Sequence, residues 1–196
     1  MTNESIQNLH PGDRFDFKGL EWVVLDPDIE GGVLAIAAEQ FYRSEAFSDK
    51  CFAGCNDWRK STLRNKLRKD LLPHLGSDNL IYHTVDLVAD NGDKLYGVVD
   101  EQIFLLTCDE YRKYRDVIPQ YNHWMWTCTP WITTNTGYAG HVRTVDTDGS
   151  LASTMRATAV AAWPRLAFSI PGISNCADRR SSWNRLHRTI ERRISA

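Results

Sequence analysis

Five cysteines (Cys51, Cys55, Cys108, Cys128 and Cys176) and six histidines are the most chemically versatile side chains of this 196-residue sequence. A cysteine acts as a nucleophile only as thiolate, beside a proton acceptor or a positive charge. The catalytic pairing on offer is therefore Cys128 or Cys176 with His123 or His141 as base. Nothing in the spacing selects such a pair. Cys51-x-x-x-Cys55 could give two thiolates to zinc, but no second close Cys or His pair completes four ligands at the usual spacing. Asp146-x-Asp148-Gly149 has oxygens that could seed a calcium loop, yet the run of alternating carboxylates ending in a bidentate Glu is missing, so a plain turn is favoured. The expectation is no metal, no cofactor and no catalysis.

Recognition chemistry is better represented. Trp124, Trp126, Trp131 and Trp163 could form an aromatic platform, because an indole offers a large contact area, little rotamer entropy and one donor. Alternation puts Trp124 and Trp126 on one face of a strand, where the core of a sheet is the favoured place for them. Trp131 follows Pro130 into a loop and is the better surface candidate. From Thr133 to Ala162 the chain is rich in Thr, Ser, Asn, Gly and Ala, with scattered larger side chains, a composition suited to adaptable hydrogen bonding on a rigid frame. The expected ligand-binding residues are Trp131, Tyr138, His141, Arg143, Met155, Arg156 and Trp163, with an ordinary solvated loop as the alternative.

Composition narrows the partners. A formal net charge of −2 creates no global field for nucleic acid or an anionic membrane. The start MTNESIQNLHPGDRF lacks the features of a secretory signal peptide, and no apolar run reaches the roughly 20 residues of a membrane span, so a soluble chain is expected. The odd, irregular set of cysteines fits reduced thiols in a cytoplasm rather than a stapled secreted scaffold.

The elements that would position these residues follow from periodicity. Asp13 to Phe17, Leu20 to Leu25 (closed by Pro27) and Val33 to Ala37 read as an antiparallel meander, with Gly31 and Gly32 in its second turn. A helix from about Trp58 to Leu72 is capped by Asn56 or Asp57, carries Leu63, Leu67 and Leu71 on one stripe, and is stopped by Pro73 and Gly76. Its basic residues are expected to form a solvated face, making nucleic acid an unlikely partner. Ile81 to Val88 and the apolar run Ile103 to Leu106 read as strands, the latter central. A second helix begins near Asp109 and Glu110 and ends before Pro119. Strands are expected near His123 to Thr129, His141 to Val145, Leu151 to Thr154 and Leu166 to Ile170. Past Pro171-Gly172, Trp183, Leu186, Ile190 and Ile194 share a face of a basic amphipathic helix, suited to packing on its own domain, to homo-oligomer formation or to docking on a partner.

Asn122-His123-Trp124-Met125-Trp126-Thr127-Cys128-Thr129-Pro130-Trp131, then Gly137-Tyr138, Val142-Arg143, Val145 and Asp148-Gly149-Ser150-Leu151, form the most distinctive pattern. It resembles a domain family of unknown function in Gram-positive bacteria and their prophages, with a W-W-L-x-[ST]-P core followed by G-Y-x-x-x-V-x-x-V and D-G-S-L. Gly12-Asp13 to Leu25, Asn56 to Arg64 and Phe104 to Tyr111 look like further blocks, so the resemblance covers about residues 10 to 172. Near its end this chain reads Trp163-Pro164-Arg165-Leu166, where the family has V-R-P-A-L.

The resemblance implies an α+β, C-type-lectin-like fold over residues 1–172, similar to formylglycine-generating enzymes and phage tropism determinants, followed by the C-terminal helix over 173–196. It further implies a non-catalytic, phage- or prophage-associated module, cytoplasmic or on the particle, that binds a protein or carbohydrate through its C-terminal half. A cysteine-dependent oxidoreductase or hydrolase on the same fold, and a self-assembling phage component, are the alternatives.

Overall fold

A computed structural model of the chain describes residues 9–39, 45–120, 122–157 and 167–170. Strands β1 (Arg14–Phe17), β2 (Leu20–Ile29) and β3 (Gly32–Ala37) pair antiparallel in sequence order. Phe15 sits opposite Trp22, and both are buried. Every residue of β3 is buried, as befits a strand paired on both edges and covered on both faces. Its outer neighbour is β9 (Ala167–Ile170), so the last described segment closes on the first sheet, in the order β1-β2-β3-β9.

Two expectations for this sheet need correction. Pro27 does not close β2, which runs on to Ile29 through register shifts after Val24 and Asp26; an irregular ladder tolerates a residue without a donor. The hairpin turn is Glu30-Gly31, both at positive φ, and Gly32 already belongs to β3.

The first helical region splits in two. Asp57 caps a 3-10 turn over Trp58–Lys60, and Ser61 caps α1 (Thr62–Leu75) by accepting from the Arg64 amide at 3.0 Å. Leu63, Leu67, Leu71 and Leu75 form the buried stripe, one turn longer than the sequence suggests. Pro73 lies inside the last turn, and the helix ends at Gly76, whose φ is 80°. The basic face is only partly solvated: Arg64 and Arg68 both reach the fully buried carboxylate of Glu101.

Glu101 ends β5 (Val98–Glu101), which pairs antiparallel with β4 (His83–Asp86). Ile103 to Leu106, expected as a central strand, is buried but contributes only an isolated bridge at Phe104; it lies alongside β6 (Met125–Pro130), where the Cys128 amide donates to Leu106 O at 2.9 Å. The second helix, α2 (Cys108–Tyr114), is shorter than expected and opens on a capping box between Thr107 and Glu110. The remaining sheet is antiparallel β6-β7-β8, with β7 at His141–Val145 and β8 at Leu151–Arg156.

Three small antiparallel sheets and two helices thus share one apolar cluster, an α+β arrangement. Phe47 bridges it, with ring centroids 5.8 Å from both Trp58 and Trp126. Trp126 is core, and Trp124 packs on it edge-on at 5.7 Å. No helix among the described residues is long and apolar enough to cross a membrane. The expected helix over 173–196 lies outside the described residues.

Candidate recognition surface

The ten residues between β6 and β7 carry two of the chain's exposed aromatics, Trp131 (42% exposed) and Tyr138 (56%). An irregular loop of this length needs partners for its backbone, and here they come from distant segments. Trp131 N donates to His141 O at 3.0 Å and closes the loop's base. Asn56, fully buried, sits beneath: its Nδ2 donates to Ile132 O and His141 O, both at 2.9 Å, while its Oδ1 accepts from the Tyr96 hydroxyl at 3.0 Å. Gly54 N donates to Tyr138 O at 3.0 Å, and Asn56 N to Ala139 O at 3.3 Å. On the far side, Thr133 Oγ1 donates to Asp93 Oδ2 at 2.6 Å, which holds the Asp93 carboxyl below its ordinary pKa.

The underlying charge is local. Asp57 is fully buried and receives a two-pronged bond from Arg59, at 2.9 and 2.7 Å. The Arg59 guanidinium lies 5.4 Å from the Tyr96 ring centroid. Burial first, and then the Asp57 charge, push the Tyr96 phenol up to about 12, so it stays a donor to Asn56.

Arg143, on β7, is 15% exposed; its guanidinium lies 5.8 Å from the Trp131 ring and its Nε 3.6 Å from Asp90. Tyr138 Oη lies 3.3 Å from Cys51 Sγ, and Phe52 adds a third exposed aromatic beside that cysteine. Of the expected ligand residues, Trp131, Tyr138, His141 and Arg143 therefore lie on one continuous stretch. By backbone register Arg156 pairs with His141 and Met155 with Val142. The side chains of Met155 and Arg156, and the whole of Trp163, lie outside the described residues. Sequence reasoning missed Phe52, Asn56, Asp93 and Tyr96. For Asn56 the available signal was a polar residue next to a helix start, but the neighbouring Asp57 is the cap.

The other candidates resolve locally. In the Asp146-to-Ser150 turn, Gly149 N donates to Asp146 O at 3.0 Å and Ser150 N to Asp148 Oδ1 at 2.8 Å. Among the described residues no group of three or more His, Cys, Asp or Glu could hold a metal ion. Cys128 is buried, its Sγ lies 2.8 Å from Leu105 O and donates to it, and burial pushes the thiol well above its ordinary pKa. That is the state of a packed thiol, not of a nucleophile. In alkylation of the native chain Cys51 is expected to label and Cys128 to stay unlabelled until denaturant is added; mass spectrometry of labelled peptides checks this, and native labelling at Cys128 would contradict it. Cys176 lies outside the described residues.

Two clefts lie elsewhere. One, of about 430 Å³, is lined by Tyr111, Arg115, His123 and Asp146 among others; the second, of about 590 Å³, is lined by His83, Cys108, Glu110 and Thr129 among others. Neither is lined by Trp131 or Tyr138. The aromatic surface lies on the loop between β6 and β7, whose base Asn56 holds. The chain matches no protein-family model, curated protein or solved structure with which it was compared.

Proposed function

We propose that the chain is a non-catalytic recognition module that binds a protein or carbohydrate through the surface carrying Trp131, Tyr138 and Arg143. In this reading the α+β assembly is a C-type-lectin-like fold, phage- or prophage-associated, with Met155, Arg156 and Trp163 extending the same surface. The segment 173–196 then serves docking or assembly.

The observation that supports it best is the pairing of exposed aromatics with a buried anchor. Trp131 and Tyr138 face solvent, while the loop holding them is fixed by two hydrogen bonds from one buried amide, Asn56, which is itself held by the Tyr96 hydroxyl. A loop ordered in advance loses little entropy on binding, and Trp, Tyr and Arg are the residues most often carrying interface energy.

The test is binding of the whole chain to an array of glycans and host-surface proteins, alongside Trp131→Ala and Tyr138→Ala. Each substitution is expected to weaken a selective interaction by about tenfold or more, on the order of 1.4 kcal/mol upward, with an unchanged unfolding midpoint. Equal binding by both variants would remove the surface from consideration. A folded chain that binds nothing would sink the reading and favour self-assembly.

A further inference from the structure

The loop that carries Trp131 exposes no charge. Its solvent-facing residues are Trp131, Thr134, Asn135, Thr136, Gly137 and Tyr138, which offer aromatic rings, hydroxyls and an amide. One cation and one anion stand together at its base. Asp90 N donates to Pro130 O at 2.9 Å, the residue before Trp131, and Arg143 follows on β7 just after His141, whose carbonyl closes the loop. The Arg143 guanidinium is 5.8 Å from the Trp131 ring centroid, at the outer limit of a cation–π contact. Its Nε lies 3.6 Å from Asp90 Oδ1, too far for a hydrogen bond, and this buried N–H has no acceptor. Among the described residues the guanidinium donates no hydrogen bond and the Asp90 carboxylate accepts none, although 15% of the one side chain and 24% of the other is open to solvent.

Granted that this surface recognises a ligand, we propose that the ligand is an uncharged sugar, its C–H face against the Trp131 indole and two neighbouring hydroxyls at its edge bridging Arg143 and Asp90. A guanidinium only donates and an ionised carboxylate only accepts, so the partner that satisfies both must do both. A carboxylate or phosphate would pair with Arg143 but face the charge of Asp90, and an ammonium would pair with Asp90 but face Arg143. Adjacent hydroxyls avoid either conflict: one oxygen accepts from Arg143 while the other O–H donates to Asp90. A pyranose also has an apolar C–H face for a broad, flat ring, and further hydroxyls within the chemistry of Thr134, Asn135 and Thr136. A protein partner fits less well, because the loop exposes no aliphatic side chain for an interface core, and neither cleft is lined by the two aromatics.

The test titrates the whole chain onto neutral oligosaccharides ending in glucose, galactose, mannose or N-acetylglucosamine, onto the same oligosaccharides capped with a uronic acid, sialic acid or sulfate, and onto host-surface proteins before and after enzymatic removal of their glycans. At least one neutral oligosaccharide is expected to bind, about tenfold or more tighter than its acid-capped forms, and to be lost in Trp131→Ala. Asp90→Asn keeps the shape, removes the charge and breaks no hydrogen bond of the described residues, so it should unfold at the native midpoint. Its preference for the neutral over the uronate-capped oligosaccharide is expected to shrink by about fivefold or more, a change that loss of a merely structural contact would not produce. Binding confined to acid-capped oligosaccharides, binding to a protein that survives removal of its glycans while no oligosaccharide binds, or an unchanged neutral-to-uronate ratio in Asp90→Asn would each overturn the sugar assignment. With Trp131→Ala inactive in those cases, the recognition reading still stands. A chain that binds nothing, or binds regardless of Trp131→Ala, overturns both.

Discussion

Asn56→Asp is expected to destabilise the fold by about 3–5 kcal/mol and to release the Trp131–Tyr138 loop, although it exchanges one amide group for a carboxylate of the same shape. Asn56 is fully buried, and its Nδ2 is the sole donor in the side chain, shared by the carbonyls of Ile132 and His141 at 2.9 Å each. An ionised Asp at this position has no donor and sets a negative oxygen against two carbonyl oxygens, next to the already buried Asp57. Protonation relieves the charge but returns only one donor for two acceptors, so the variant should regain part of its stability as pH falls. Unfolding in urea gives the first quantity, and amide hydrogen exchange of residues 131–141 gives the second. A variant with native stability and native exchange at Trp131 would show that the loop is held by its other contacts alone. Asn135→Ala tests the contrast. Asn135 is exposed and bonds Asp93 at a long 3.4 Å, so its loss should change stability by about 0.5 kcal/mol or less.

This anchor also marks the limit of what the sequence discloses. Local signals were readable: the Leu63-Leu67-Leu71 stripe, the strand at His141–Val145, and Trp131 as a surface residue because it follows Pro130 into polar sequence. Asn56 bonds residues 76 and 85 positions away, and no local pattern encodes such a partner. The same cause explains the misplaced strands. Val98–Glu101 is only two valines followed by two carboxylates, too short to stand out as a strand, and becomes β5 by pairing with β4, while Ile103 to Leu106 is apolar because it is enclosed, not because it joins a ladder. Arg64 and Arg68 looked like solvated charge because the buried acceptor, Glu101, lies more than thirty positions along the chain.

Replacement of His83 should have an effect of similar size, with a pH signature of its own. His83 lies on β4, 8% exposed, its ring stacked 4.8 Å from that of Phe104. Nδ1 is 2.9 Å from Glu30 Oε2, and Nε2 is 2.7 Å from Glu110 Oε1. A neutral imidazole has one N–H, so both contacts are hydrogen bonds only when the ring is an imidazolium. Burial pulls its pKa down, but the hydrogen bond and charge of Glu110, then those of Glu30, outweigh it, and the net direction is up from 6.5. A group with a raised folded pKa contributes stability that is complete below its unfolded value and lost as pH rises through the folded one. The chain should therefore weaken on the alkaline side of 6.5. Two elements depend on the contact: Glu30 forms the β2–β3 turn, and Glu110 closes the capping box of α2. His83→Leu leaves the two carboxylates facing an apolar side chain and is expected to cost about 3–5 kcal/mol near neutral pH. His83→Gln keeps a donor without the charge, so it should cost less and flatten the alkaline decline between about pH 6 and about pH 9. Urea midpoints measured across that range for the native chain and both variants separate the two contributions. An equal alkaline slope in His83→Gln would assign the decline to another group, and His83→Leu at native stability would mean that the ring is only packed against Phe104.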